Sequence, residues 1–564
     1  MERRVILAIV LMLIVAVLPS ILSPPKKAVR QTGGRAVGDT TRMPAVAESA
    51  AAPTLPSAPS ARPPVRASVG VPAETVWVTS SRYRLGLSTA GARLVLAELP
   101  EYRSFAAGDS GRPVQLVPPG RPLLAHSILL GADTISLADW SFTPSARLVR
   151  VPDTGTESVP LTFTAARGGA RVTLDYVFLP GEYHFEVRGN VTGLGPQGAV
   201  LLVGLGDGLR SVEADSMDDF HHFGVVTKAG RTQSTSFQSF KPGSVKLLDG
   251  PFEWAGVKSK YFLLAALASE ENAPQFGGGI AVGGPVEVTS SSLLGGRAGT
   301  ETRVSLALTL PVPPAGDFRY RLYVGPLEYR RLAHLGHDLD DANPYGGFLR
   351  PIIQPVSALV VNILIWMHDR LSLAYGWVLV IFGIMVRALL WPLNQKAMES
   401  SVRMQAVAPL IKETQERYKT EPDRLQREMM KIYKEHNVNP FGGCLPMLLP
   451  MPVLFALYFV FANTIEFRGV PFLWLPDLSR ADPYYIIPIV MGVSMFALSK
   501  IGQIGVPPNP QTKTMVYFMP VFMTVLFLRF ASGLNLYYAV QNLFSIPQQY
   551  LIARRRLREQ GRRT

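Results

Sequence analysis

Apolar and polar positions follow different rhythms along this chain. From about Glu74 to Arg321 they alternate in short runs broken by glycine and proline, such as "TVWVT", "RYRLGLS", "RLVLAEL", "RVTLDYVFL" and "YHFEVRGNV". Period-two runs separated by turn residues predict strands with one buried face, and this many of them predict a large all-β sandwich. "LYVGPLEYRRLAHLG" then switches to helical spacing. "PIIQPVSALVVNILIWMHDRL" continues it, with an apolar face, early prolines and a charged end at His368, Asp369 and Arg370, and predicts a helix in or near a membrane interface. Five apolar runs follow, Trp377–Leu393, Leu445–Ile465, Tyr485–Ile501, Met515–Phe530 and Leu534–Ile552. They predict transmembrane helices, whose prolines are tolerated where neighbouring helices satisfy the freed carbonyls.

Two segments precede the alternating region. "MERRVILAIVLMLIVAVLPSIL" has a charged start and an apolar stretch from Val5 to Leu22, long enough to cross a bilayer core of about 30 Å. No A-x-A cleavage site follows it, so residues 1–22 predict a retained anchor. Residues 23–73, centred on "PTLPSAPSARPPVR", bury little apolar surface and predict a disordered tether. The expected organisation is an anchor at 1–22, a tether at 23–73, a β domain at 74–345 and a helical membrane core at 346–564. The fold class is thus a polytopic α-helical membrane protein of six spans, joined to a large all-β domain.

Lysine and arginine set the orientation. The loop from Lys396 to His436 carries nine of them and the tail "RRRLREQGRRT" six, whereas "RGVPFLWLPDLSRADP" carries two. Both chain ends and the nine-charge loop are therefore expected in the cytoplasm. The β domain is then outside it, in the periplasm of a cell with two membranes.

Arg387 stands out inside the first of the five runs, because a charge at bilayer depth costs about 2.5–3.5 kcal/mol even on insertion scales. Gly376, Gly383, Arg387 and Asn394 share one helical face. In the last run Asn535, Tyr538, Asn542, Ser545 and Gln549 form a second polar stripe, with Gln541 beside it. Two such stripes imply a shared hydrated groove open to the cytoplasm. Arg387 also lies nine residues before Lys396, roughly 13 Å along a helix, so snorkelling to the interface is an alternative at this stage.

The cytoplasmic loop has its own pattern. Met404, Val407, Ile411 and Tyr418 make one apolar stripe, and Leu425, Met429, Ile432 and His436 another. With Thr420 as N-cap and Pro422 in the first turn, residues 396–437 predict an antiparallel helical hairpin. Methionines at 447, 451, 491, 495, 515, 519 and 523 suit a surface that accepts many apolar shapes.

Composition narrows the chemistry. The chain of 564 residues is 48% hydrophobic with a net charge of +14, yet has no basic run interleaved with aromatics, which argues against nucleic acid as a specific ligand. A single cysteine, Cys444, excludes an internal disulfide framework and any multi-cysteine metal site. Phosphate-loop and HExxH motifs are absent, so neither ATP hydrolysis nor zincin chemistry is expected. "SMDDFHHFG" places Asp218 and Asp219 beside His221 and His222, but neighbours in sequence rarely converge on one ligand, and a polar loop is expected. "GGGIAVGG" lacks phosphate-loop spacing and is expected to be a turn-rich connection.

"NPFGGCLPMLLPMPVLFALYFVF", "DPYYIIPIVMGVSMF", "FMPVFMTVLFLRFASGLNLYYAVQN" and "VRALLWPL" together resemble the YidC/Oxa/Alb family of membrane protein insertases. "YVGPLEY" resembles the end of the periplasmic domain in the Gram-negative form. The resemblance covers the whole chain. It implies a β-super-sandwich periplasmic domain and a five-span insertase core whose groove opens to cytoplasm and lipid but is sealed outside. It also implies that Arg387 attracts the polar or acidic tail of a nascent membrane protein and that Tyr538 contacts substrate. The implied partners are nascent integral membrane proteins, the ribosome, the Sec translocase (SecYEG and SecDF) and the lipid bilayer, with no cofactor and no enzymatic step. Gly383 stands where many relatives have threonine, and Pro450 where many have glutamine, so both remove polar atoms from the expected groove. A secondary transporter with an intramembrane anion site at Arg387 is the alternative; it predicts paired inverted repeats, and no such internal symmetry is visible. A carbohydrate-active enzyme would need converging carboxylates that only the "DDFHH" stretch offers.

Overall fold

The computed structural model describes residues 73–131, 133–193, 198–269, 275–290, 297–343, 350–436, 451–504 and 510–561. The expected anchor at 1–22, all but the last residue of the expected tether, the start of the Leu445–Ile465 run with Pro450, and the end of the basic tail lie outside the described residues.

The alternating region forms three sheets. In the largest the strands run in the order Arg231–Ser236, Gly224–Ala229, Trp254–Lys258, Phe262–Ala268, Asp317–Pro326, His184–Thr192, Ala170–Phe178, Val159–Arg167 and Thr143–Pro144, with every neighbouring pair antiparallel. A six-stranded antiparallel sheet includes the long pair Phe276–Ser290 and Arg297–Val312. A five-stranded sheet is built around Leu94–Arg103 and Arg84–Ser88, with one parallel pair at its edge. Period two is visible in what is buried: Leu161, Phe163 and Ala165 on one strand, Val172, Leu174 and Tyr176 on the next, and Phe185 and Val187 on the third. Two neighbouring strands depart from it along their whole length. Trp254–Lys258 and Phe262–Ala268 are buried at every position, because they lie mid-sheet and are covered on both faces. The three sheets share one apolar core.

Two expectations are corrected here. The glycine-rich "GGGIAVGG" is part of the strand Phe276–Ser290 rather than a turn-rich connection. Its glycines allow close approach of a neighbouring backbone: a Cβ on Gly283 would lie 2.3 Å from the Lys241 carbonyl oxygen. "SMDDFHHFG" contains a short helix, α1 (Ser216–Phe220), where a loop was expected. Asp215 caps it, Asp218 accepts from Lys260 Nζ at 3.1 Å, and Asp219 accepts from Ser211 Oγ at 2.6 Å. Burial, reinforced by Glu213, pushes the Asp219 carboxyl up to about 7. Among the described residues no group of three or more His, Cys, Asp or Glu could hold a metal ion.

The rest is helical: α2 (Tyr329–Leu335), α3 (Arg350–Leu371), α4 (Tyr375–Arg417), α5 (Pro422–Glu435), α6 (Met451–Asn463), α7 (Ile486–Gly502), α8 (Pro510–Phe527) and α9 (Ser532–Gly561). α3, α4 and α6–α9 enclose a second apolar core, joined by the 464–485 segment between α6 and α7. α3 buries Val361 and Leu364 in this core while Leu359 and Trp366 stay exposed. α4 is one continuous helix of 43 residues that runs through Pro392 and Pro409 and joins the first span to the first arm of the hairpin. The N-cap of α5 is Glu421 rather than Thr420, with no side-chain cap bond, and Pro422 opens the helix. Among the described residues, one stretch, Tyr375–Pro392, is long and apolar enough to cross a membrane; Pro452–Asn463, Ile486–Gly502 and Val516–Phe527 are shorter apolar helices.

The β core gives a stability test. Trp254 is 0% exposed and its Nε1 donates to the His337 carbonyl oxygen at 2.8 Å. Trp254→Ala is expected to cost about 3–5 kcal/mol in urea unfolding followed by tryptophan fluorescence and circular dichroism. Trp77→Ala, which removes a half-exposed ring stacked under Arg84, is expected to cost far less.

Candidate functional site

Helical spacing on α4 places Gly383 and Arg387 one turn apart on the same face, and that face meets α9. At Gly383 the two helices come close: a Cβ there would lie 3.2 Å from Val540 Cγ1 and 3.5 Å from Tyr537 Cδ2. Small residues at such contacts let apolar helices approach. The Gly383 carbonyl accepts a hydrogen bond from Gln541 Nε2 at 3.2 Å, and the same amide group lies 2.9 Å from the Tyr537 hydroxyl. One turn further along, Arg387 Nη2 donates to Gln548 Oε1 at 2.5 Å.

Part of the guanidinium is left unsatisfied. Arg387 is half-buried, its Nε is fully buried without a hydrogen-bond partner, and it makes no ion pair among the described residues. Gln548 is buried too, and its Nε2 likewise has no partner. No aspartate or glutamate occurs in α6, α7, α8 or the Tyr375–Pro392 part of α4. A cation with an unmet N–H of its own, beside a second unmet N–H on Gln548, has spare capacity for an anion or a polar backbone.

The polar stripe of α9 divides between two directions. Tyr537, Gln541 and Gln548 turn towards α4. Asn535 is fully buried and donates to the Phe527 carbonyl of α8 at 3.0 Å, and the Tyr538 ring stands edge-on to Phe527 at 5.6 Å. Asn542 reaches the Met491 carbonyl of α7 at 3.4 Å, and Ser545 donates to the Gln541 carbonyl of its own helix at 2.5 Å. Of the expected residues, Gly383, Arg387 and Gln541 are therefore brought together, while Asn535, Tyr538 and Asn542 serve the contacts with α7 and α8. Tyr537 and Gln548 were not anticipated. Their spacing from Gln541, four before and seven after, was available as a second polar face, but sequence alone does not say which face turns to Arg387.

The same helices carry exposed apolar residues. Leu389 on α4 is 75% exposed and Val521 on α8 is 64% exposed, with Trp377, Ile489 and Val493 also bare. Helices with bare apolar outer faces around an apolar core that holds a few polar side chains suit a lipid surrounding.

Close approach at Gly383 can be tested directly. Gly383→Thr should force α4 and α9 apart and lower the stability of the helical core by about 1–3 kcal/mol. Adding Val540→Ala, which removes the obstructing methyl groups, should recover most of that loss in a thermal melt of the detergent-purified protein. Failure of the double variant to recover would mean that the helices do not meet here.

Two family models match the chain. The 60Kd inner membrane protein model covers residues 366–560, and the YidC periplasmic domain model covers residues 75–359. The membrane protein insertase YidC of Syntrophus aciditrophicus (strain SB) is 30% identical over 98% of this chain and 99% of its own length. That of Ralstonia nicotianae is 32% identical over 93% of this chain and 89% of its own. A solved structure described as an active YidC insertase is 17% identical with a TM-score of 0.33, covering 85% of this chain and 94% of that one. With one model matched over the β half, another over the helical half, and relatives alike over nearly their whole length, the chain belongs to the YidC family in its form with a large periplasmic domain.

Proposed function

We propose that this chain is a membrane protein insertase and chaperone working through a hydrophilic groove, open to cytoplasm and lipid, that Arg387 lines beside the contact of α4 with α9. The observation that carries the reading is Arg387: a half-buried guanidinium with one neutral partner, no counter-ion among the described residues and a buried free N–H, set among apolar helices. The relatives' shared name, membrane protein insertase, supports it. Members of this family are insertases rather than enzymes.

In this reading the protein crosses the inner membrane six times. The β domain, residues 74–345, lies in the periplasm. The α4–α5 hairpin and the basic tail lie in the cytoplasm, where they receive a nascent chain from the ribosome or through the Sec translocase. The chain's short extracytoplasmic tail enters the groove. There the low dielectric strengthens its attraction to Arg387, with Tyr537, Gln541 and Gln548 supplying neutral hydrogen bonds. The apolar segment then leaves sideways into lipid, and its burial there drives the step without nucleotide. Tyr538, Asn535 and Asn542 hold α9 against α7 and α8, so they fix the groove's far wall.

The test varies charge at one position. Arg387→Lys should retain most activity, since positive charge survives although the bidentate fork does not. Arg387→Ala should slow insertion of single-span substrates with acidic tails by about tenfold, an effect of about 1.4 kcal/mol. Neutral-tailed substrates should be affected less, and Arg387→Glu should be worse than Ala for acidic tails. Insertion is measured by protease protection at matched expression. Equal activity of Arg387→Ala and the unaltered protein on both substrates would refute the groove and leave Arg387 as a snorkelling residue.

A further inference from the structure

The 464–485 segment between α6 and α7 lies between the two cores. One of its faces belongs to the helices. Phe467, Phe472, Leu475 and Leu478 are buried in the helical core, and Phe472 fills the space beside Gly376, where a Cβ would lie 2.0 Å from its ring. Ser532, at the start of α9, donates from its backbone N–H to the Arg480 carbonyl at 2.6 Å and from Oγ to the Asp477 carbonyl at 3.0 Å. The segment thus covers the ends of α4 and α9 that face away from the hairpin.

Its other face belongs to the β domain. Ile465 lies in the β core. The Arg468 side chain is 2% exposed: its Nε donates to Glu213 Oε1 at 2.7 Å, its Nη1 to the Arg103 carbonyl at 2.8 Å, and its guanidinium stacks 4.4 Å from the Phe105 ring. Tyr261 and Phe262 close over the same cation at 5.7 Å each. Beside this cluster, Asn343 accepts from Lys258 Nζ at 2.7 Å and donates to the Asn463 carbonyl, at the end of α6, at 2.9 Å. An ion pair held out of water between two parts of a chain costs much more to break than an exposed one.

We infer that Arg468 pins the 464–485 segment under the β domain, making that domain a clamp on the seal at the groove's outer end. The inference rests on the orientation and groove proposed above. It gives the β domain a role distinct from substrate binding: it sets how readily the seal lifts. An arginine suits this task because one planar group meets a carboxylate, a carbonyl and an aromatic face at once. Loosening the pin leaves Arg387 and its partners in place, so the seal is affected before the attraction of the tail.

Ser532 reports on the seal, being 0% exposed and bonded directly beneath it. With Cys444→Ser as background, Ser532→Cys is labelled by an impermeant maleimide added from the periplasmic side. Arg468→Gln should speed labelling by about tenfold or more, because a charge-assisted hydrogen bond to a buried carboxylate is lost. Glu213→Gln and Asn343→Ala should act in the same direction, and Arg468→Lys should fall between. Unchanged labelling in Arg468→Gln overturns the inference. If that variant does not accumulate, unchanged labelling in both Glu213→Gln and Asn343→Ala does so. Insertion of acidic-tailed substrates by Arg387→Ala is measured in parallel. Faster labelling in the pin variants, together with an inert Arg387→Ala, would keep the pin and discard the groove.

Discussion

A guanidinium placed within an apolar helix must be met by polar atoms from a facing helix, and this requirement organises the helical half of the molecule. Arg387 reaches Gln548, and it can do so because Gly383, one turn earlier, brings α4 against Val540 of α9. The neutral partner is informative. An acidic one would have made a closed ion pair, whereas an amide leaves most of the positive charge uncancelled. The site is held in shape yet left electrostatically incomplete, which suits the proposed role of receiving an acidic or polar tail.

The same economy explains the architecture around it. Two apolar cores, one between sheets and one among helices, meet along a segment that contributes side chains to each. Apolar burial gives each core its stability but carries little directional information. Direction comes from the few charged contacts at the seam, of which Arg468 with Glu213 is the most buried. The long sheet and the bundle are therefore held in one relative position by polar chemistry rather than by a shared apolar interior.

The sheets were legible because period two survives wherever one face meets solvent, as in Val159–Arg167 and Ala170–Phe178. It failed at "GGGIAVGG", since a glycine that admits a neighbouring backbone and a glycine that makes a turn are the same letter. Pro392 and Pro409 both sit inside the unbroken α4, where the loss of a backbone bond at each is tolerated within a 43-residue helix. In α9 the presence of a polar stripe could be read, but its rotation could not. Tyr537, Gln541 and Gln548 face α4 only because Gly383 and Val540 fix how the helices meet, a contact between positions 157 residues apart. Arg387 itself was legible for a simpler reason: an uncompensated charge in an apolar run needs an explanation wherever it occurs.

The central claim is that a substrate's tail lies beside Arg387, next to the contact of α4 with α9. A photo-crosslinking residue placed at Gln541, and separately at Val521 on the bare face of α8, can be tested with a ribosome-stalled, acidic-tailed nascent chain. The account predicts strong crosslinks from position 541 that weaken when Arg387→Ala is added, and few from position 521. Comparable crosslinking at both positions, or crosslinks from 541 that are indifferent to Arg387, would contradict it.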